Sequence, residues 1–165
     1  PSQDSIFTIT LPVAAERVAS RPINRGVLDA AGSAMCASKL RVLLVNENAD
    51  LREVLAETLR NRGLEVQATA TAAEGLNISK DVNLDLVLLD VPLYGNIGIA
   101  ILGEYHARLP RVPIIAISGA ASSEEVALVL RSGARACICK PFQLAHLLAE
   151  IDAALPLVAR REKLI

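Results

Sequence analysis

Leu40 to Asp50 reads LRVLLVNENAD. Arg41 to Val45 is a short, nearly continuous apolar run, the pattern of a strand buried on both faces. It stops abruptly at Asn46-Glu47-Asn48, and a helical pattern follows from Asp50. Polar side chains crowded at the end of a core strand are either a turn or the rim of a site. Asn48 suits the first of these, as a cap for the following helix. Asn46 and Glu47 need the rest of the chain to be interpreted.

Downstream the same texture repeats. Strand-like runs fall at Arg41–Val45, Glu65–Thr69, Leu84–Leu89, Pro113–Ser118 and Ala136–Cys139. Between them lie helical segments at Asp50–Arg62, Ala72–Ser79, Ile97–Arg108, Ser123–Ser132 and Gln143–Leu155. Gly63 and Gly133 follow helices where a left-handed C-terminal residue is wanted. Thr71-x-x-Glu74 and Ser122-x-x-Glu125 have the form of capping boxes. Strict alternation of apolar strands with helices predicts an α/β fold, a parallel sheet covered on both faces. Sites in such sheets form at the carboxyl ends of the strands.

Composition narrows the function. The chain has 165 residues, 52% of them hydrophobic and only 2% aromatic, so its core is aliphatic. A net charge of −1 without a Lys/Arg run argues against nucleic acid or a membrane surface as partner. No apolar stretch reaches membrane-spanning length and nothing resembles a signal peptide, which points to the cytoplasm. Cys36, Cys137 and Cys139 form neither a disulfide framework nor a metal pattern. Cys137 and Cys139 read as small hydrophobes on a strand. His106 and His146 fall within predicted helices away from the strand ends and carry no chemistry. No glycine-rich phosphate loop supports a nucleotide or redox domain.

The strand ends carry the chemistry. Asn46 and Glu47 follow the first strand, Asp90 the third, Ser118 closes the fourth, and Lys140 follows the fifth. Each alone is an ordinary turn, cap or solvated residue. Together they bring two carboxylates, a hydroxyl and an ammonium to one sheet edge. That set suits a divalent cation with hard oxygen ligands and a phosphoryl group held by Lys and Ser.

Lys39 to Leu155 resembles the receiver domain of two-component response regulators. The likeness rests on RVLLVNENADLREVLAETLRNRG, DLVLLDVPLYGNIG, PIIAISG and SGARACICKPF. It implies a flavodoxin-like, doubly wound (βα)5 fold with a five-stranded parallel sheet of order 2-1-3-4-5. It implies a phosphoryl group taken from a phosphohistidine onto Asp90, with Ser118 and Lys140 on the phosphoryl oxygens. It further implies Mg2+ between Asp90 and Glu47 with the Pro92 backbone carbonyl as ligand, and a cis Lys140–Pro141 bond. The partner would be a histidine kinase core or a phosphotransfer protein.

The sequence departs from that pattern in places. The two adjacent acids expected after the first strand are Asn46 and Glu47, which predicts weakened Mg2+ binding; Asn46 would hold a metal-bound water by its amide oxygen. Pro92 keeps its carbonyl but has no N–H, which predicts one phosphoryl contact fewer. Tyr94 stands where a proline is common, whereas Gly98 matches the glycine of the pattern. Cys137 replaces an aromatic whose rotamer reports phosphorylation. These departures keep open an alternative, a degenerate receiver that docks partners or dimerises with a second copy without phosphorylation.

Upstream, SIFTITLP (Ser5–Pro12) resembles the last strand of a histidine-kinase ATPase domain, which assigns residues 1–13 to such a domain. Residues 14–38, rich in Ala, Ser, Arg and Gly, read as a linker, and residues 156–165 as a C-terminal tail, either a helix extension or frayed. A receiver after such a strand and linker is the layout of a hybrid histidine kinase. The catalytic core of that kinase would lie upstream of Pro1.

Overall fold

The computed structural model describes residues 39–92, 97–119 and 122–159. The expected strand at Ser5–Pro12, the linker and the end of the tail lie outside these residues. Five strands and five helices alternate: β1 Arg41–Val45, α1 Ala49–Asn61, β2 Glu65–Thr69, α2 Ala72–Asp81, β3 Leu86–Val91, α3 Ile97–Arg108, β4 Ile114–Ser118, α4 Ser123–Arg131, β5 Ala136–Cys139 and α5 Leu144–Ala159. All pairings are parallel, in the order β2-β1-β3-β4-β5. This is the expected flavodoxin-like fold.

Side-chain alternation along the strands divides the core. Val42, Leu44, Leu86, Leu88, Ile115, Ile117 and Ile138 pack with Leu55 and Leu59 of α1 and Leu147 and Ile151 of α5. Their neighbours Leu43, Val45, Val87, Leu89 and Ala116 pack on the other side with Leu76 of α2, Leu102 and Tyr105 of α3 and Val129 of α4. Continuous apolar strands are required because both faces are covered. Each buried leucine or isoleucine contributes about 1.5–3 kcal/mol relative to exposure.

The caps are written in the sequence. Asn48 Oδ1 accepts the Leu51 N–H at 2.8 Å, as expected for the start of α1. Ser122 and Glu125 form a full capping box on α4. At α2 only half of the expected box forms. Thr71 Oγ1 accepts from Glu74 N, but the Glu74 carboxylate accepts instead from the Thr69 hydroxyl. Gly63 and Gly133 have φ of 86° and 112°, the left-handed conformation expected of them.

Several boundaries differ from expectation by one or more residues, and those of β3, β4 and α5 have a visible cause or consequence. β3 begins at Leu86 and runs through Asp90 to Val91, two residues later than predicted at each end. The Asp85 carboxylate accepts the Arg41 N–H at 2.7 Å, so this residue caps the sheet and does not extend the ladder. Pro113 precedes β4, where its carbonyl accepts the Val87 N–H at 3.0 Å. α5 passes through Pro156 to Ala159, so the first residues of the expected tail are helical. The proline removes one backbone hydrogen bond there without ending the helix.

Tyr105 fastens α3 to α2. It is fully buried, and its hydroxyl donates to the Ala72 carbonyl at 2.8 Å. Gly75 makes room for it: a Cβ there would lie 2.2 Å from the Tyr105 hydroxyl and 2.9 Å from Val45 Cγ2.

Candidate functional site

The carboxyl edge of the sheet opens into a cleft of about 570 Å³. Asn46, Glu47, Asp90, Pro92 and Lys140 line it with Thr71, Gly119 and Glu125. Ser118 is fully buried at the end of β4, next to this cleft in the register, with Val91 opposite it on β3 and Cys139 on β5. The sheet therefore brings the predicted residues to one edge.

Asp90 is held more firmly than a loop residue. It pairs with Ile117 in the β3–β4 ladder, and only 10% of its side chain is exposed. Lys140 Nζ donates to both its carboxylate oxygens at 2.8 Å. The cis Lys140–Pro141 bond matches expectation, and the Lys140 N–H donates to the Ser118 carbonyl at 2.7 Å. Burial raises the Asp90 pKa above its ordinary value; Lys140 opposes the shift, and the nearby Glu47 charge adds to it. Desolvation of the carboxylate thus outweighs its ion pair.

That direction has a consequence for stability. A carboxyl whose pKa is higher in the fold than in the unfolded chain favours folding while protonated. Its contribution is fully present below the unfolded value, 3.8, and is lost as pH rises through the folded one. The ionised Asp90 therefore destabilises the fold at neutral pH. Asp90→Asn should melt above the parent at pH 7, with the difference shrinking as pH falls toward 3.8. Thermal melts of both proteins across that range check this; a lower melting point for Asp90→Asn at pH 7 would refute it.

The loop after β1 is built around Asn46. The Asn46 N–H donates to the Thr69 carbonyl at 3.1 Å, and Oδ1 accepts the Asn48 N–H at 2.9 Å. One of the two acceptor positions on the oxygen expected to hold a metal-bound water is thus taken. Nδ2 is buried without a hydrogen-bond partner among the described residues. A buried donor left unpaired costs about 1–3 kcal/mol. Glu47 is exposed on the cleft rim.

Arg52 was not anticipated. Its Nη1 donates to the Asn46 carbonyl at 2.7 Å and reaches the Glu47 carbonyl at 3.3 Å. A cation near a helix N-terminus runs against the helix dipole, and that was the available signal. Two further contacts were also hidden. The Pro92 carbonyl packs on Gly98, where a Cβ would lie 2.1 Å from the oxygen, so that glycine is needed for close approach. Glu125 lines the cleft from α4 while capping its own helix.

The remaining candidates have plain environments. Cys137 is half-buried on the α2–α4 side; burial, with Cys139 beside it, pushes its pKa to about 11, so it stays a thiol at neutral pH. His106 packs across Gly133, and His146 lies 3.9 Å from Glu150 on an exposed face. Among the described residues, no group of three or more His, Cys, Asp or Glu could hold a metal, and no helix is long and apolar enough to cross a membrane.

Known proteins resemble this chain in sequence and fold. DNA-binding response regulator MtrA of Mycobacterium bovis is 33% identical over 121 residues, covering 73% of this chain and 53% of that protein. The probable C4-dicarboxylate response regulator DctR of Bacillus subtilis is 34% identical over 112 residues, 67% of this chain and 50% of DctR. The chain thus spans about half the length of these relatives. Among solved structures, a CheY-like response regulator receiver domain protein from Methanospirillum hungatei superposes with a TM-score of 0.67 at 30% identity, covering 75% of this chain and 99% of that one. NtrX from Brucella abortus gives 0.67 at 29% identity, with 77% and 30% covered. Residues 42–152 match the family model described as "Response regulator receiver domain". The chain belongs to the response regulator receiver domain family of two-component signalling.

Proposed function

We propose that Asp90 is the phosphoacceptor of this receiver, taking a phosphoryl group from the phosphohistidine of a histidine kinase or phosphotransfer protein. The observation that carries the reading is Lys140 Nζ at 2.8 Å from both Asp90 oxygens, beside the buried Ser118. An Asp90 oxygen attacks phosphorus as the bond to the histidine nitrogen breaks, and the electron pair leaves with the imidazole. Lys140 moves from the carboxylate to the incoming phosphoryl oxygens, and the Ser118 hydroxyl donates to another. Catalysis here is positioning and charge compensation.

The residues present fit Mg2+ by donor chemistry, since Glu47 and Asp90 carboxylates and the Pro92 carbonyl are hard oxygens. Mg2+ is commonly held by only one or two carboxylates, with phosphate and water oxygens completing its octahedron. When bound, it would offset the charge of the phosphoryl oxygens. A phosphoryl donor charged from ATP supports a cytoplasmic location for the domain. The resemblance of the sequence at Ser5–Pro12 to a kinase ATPase domain supports an origin in a hybrid histidine kinase.

The test is direct. The full chain, incubated with Mg2+ and acetyl phosphate, should gain one phosphate by intact mass, and Asp90→Asn should gain none. An unmodified parent, even with a cognate kinase, would refute the reading. The second reading, a phosphorylation-independent docking or dimerisation module, is favoured by the altered pair Asn46 and Pro92. It requires Asp90→Asn to leave partner binding unchanged.

A further inference from the structure

Asn46 and Asp90 are neighbours. Val45 pairs with Leu89 in the β1–β3 ladder, so the next residues on each strand stand side by side. Adjacent strands are about 4.8 Å apart. Alternation places both on the side of Leu44 and Leu88, which pack toward α1 and α5. Both line the cleft with Lys140.

The amide orientation of Asn46 is determined by its partner. Oδ1 receives the Asn48 N–H at 2.9 Å; a flipped amide would set two donors against each other. The unpaired group on this fully buried side chain is therefore NH2, a pure donor. A cation has no use for it. A metal-bound water turns its protons outward and seeks an acceptor. An anionic oxygen is its natural complement.

We propose that the Asn46 side-chain amide donates a hydrogen bond to a phosphoryl oxygen on Asp90, making phosphorylation of this domain only weakly dependent on a divalent cation. The inference rests on Asp90 being the phosphoacceptor. Pro92, on the same rim, has no N–H to offer. Asn46 supplies a donor from the neighbouring strand and removes one negative charge that a metal would otherwise have to balance. Lys140, Ser118 and Asn46 then form the donor set, two of them neutral.

The experiment uses the full chain, Asn46→Asp and Asn46→Leu, each checked for folding by its melting curve. Asn46→Asp keeps an acceptor for the Asn48 N–H; Asn46→Leu keeps the size and loses the donor. Uptake from acetyl phosphate is followed by intact mass in EDTA and across a Mg2+ titration. The parent should form the Asp90 adduct in EDTA, with Mg2+ accelerating it by roughly tenfold or less, because a hydrogen bond to a charged group is equivalent to about ten- to hundredfold. Asn46→Leu should lose roughly ten- to hundredfold in EDTA for the same reason. Asn46→Asp should require Mg2+. In a nitrogen–proton correlation spectrum, the Asn46 side-chain amide peaks, identified by their loss in Asn46→Asp, should shift on phosphorylation.

An identical strict Mg2+ requirement in parent and Asn46→Asp would overturn the proposal. So would unchanged uptake by Asn46→Leu in EDTA, or amide peaks that do not move. An adduct on Asn46→Asp alone would refute the donor role while leaving Asp90 as phosphoacceptor. No adduct on any of the three would refute both. If Asn46→Leu fails to fold, the Asn46→Asp titration and the amide peaks decide.

Discussion

Lys140→Met should slow phosphoryl uptake by Asp90 roughly hundredfold, the usual scale for removing one preorganised electrostatic contact at a reacting centre. Lys140 Nζ lies 2.8 Å from each Asp90 oxygen and opposes the upward shift that burial imposes on this carboxyl. Without it, desolvation and the Glu47 charge act unopposed, and the Asp90 pKa rises further. Only the ionised carboxylate attacks phosphorus. The residual activity of Lys140→Met should therefore climb with pH over a range displaced upward from that of the parent. Rates with acetyl phosphate across pH separate the two effects: lost charge compensation lowers the plateau, and the raised pKa displaces the profile. A parent-like rate and profile would show that Lys140 serves only to pin its own loop.

Gly75→Ala should lower the melting temperature by about 10 °C. The added methyl would sit 2.2 Å from the Tyr105 hydroxyl and 2.9 Å from Val45 Cγ2. Tyr105 is fully buried among Leu43, Leu76 and Leu102, so it has little room to retreat. Overpacking of this kind costs about 1–3 kcal/mol. Displacing the Tyr105 hydroxyl from the Ala72 carbonyl adds about 0.5–1.5 kcal/mol. For a domain of this size each kilocalorie moves the midpoint by roughly 3–5 °C. An alanine's better helix propensity recovers under 1 kcal/mol. Thermal unfolding with Gly103→Ala as control checks the cause, since that glycine meets nothing within 4 Å. Equal shifts in the two variants would contradict it.

Much of this architecture was legible because local rules and global fold agree. Arg41–Val45 could only be a strand covered on both faces, and Asn48, Ser122, Gly63 and Gly133 announced helix ends through capping chemistry. Asp90 and Lys140 were legible because an apolar strand with a charged terminus is costly unless that terminus has a purpose. What stayed hidden depends on which of several possible partners a side chain takes once the chain is folded. Asp85 looked like part of a strand until its carboxylate met Arg41, 44 residues away. Glu74 fitted a capping box, yet the Thr69 hydroxyl won its carboxylate. The helical pattern in the sequence reaches only to Leu155, yet α5 continues through Pro156, because a proline inside a helix is costly but not prohibited. For Asn46 the residue type suggested an oxygen ligand, and only the Asn48 N–H shows which end of the amide is left over.

Arg52 sets a limit on how this protein can drift over evolutionary time. One nitrogen spans the carbonyls of Asn46 and Glu47, so a single cation holds two main-chain oxygens of the rim. Glu53 and Glu57 lie exposed on the same helix and touch no part of the cleft rim. Tolerance to substitution along the exposed face of α1 should therefore be uneven: freer exchange at Glu53 and Glu57, and near-fixation at Arg52, which steadies the rim. A helix surface that reads as uniformly solvated thus carries a hidden pattern of constraint, set by which of its side chains reach back to a main-chain carbonyl.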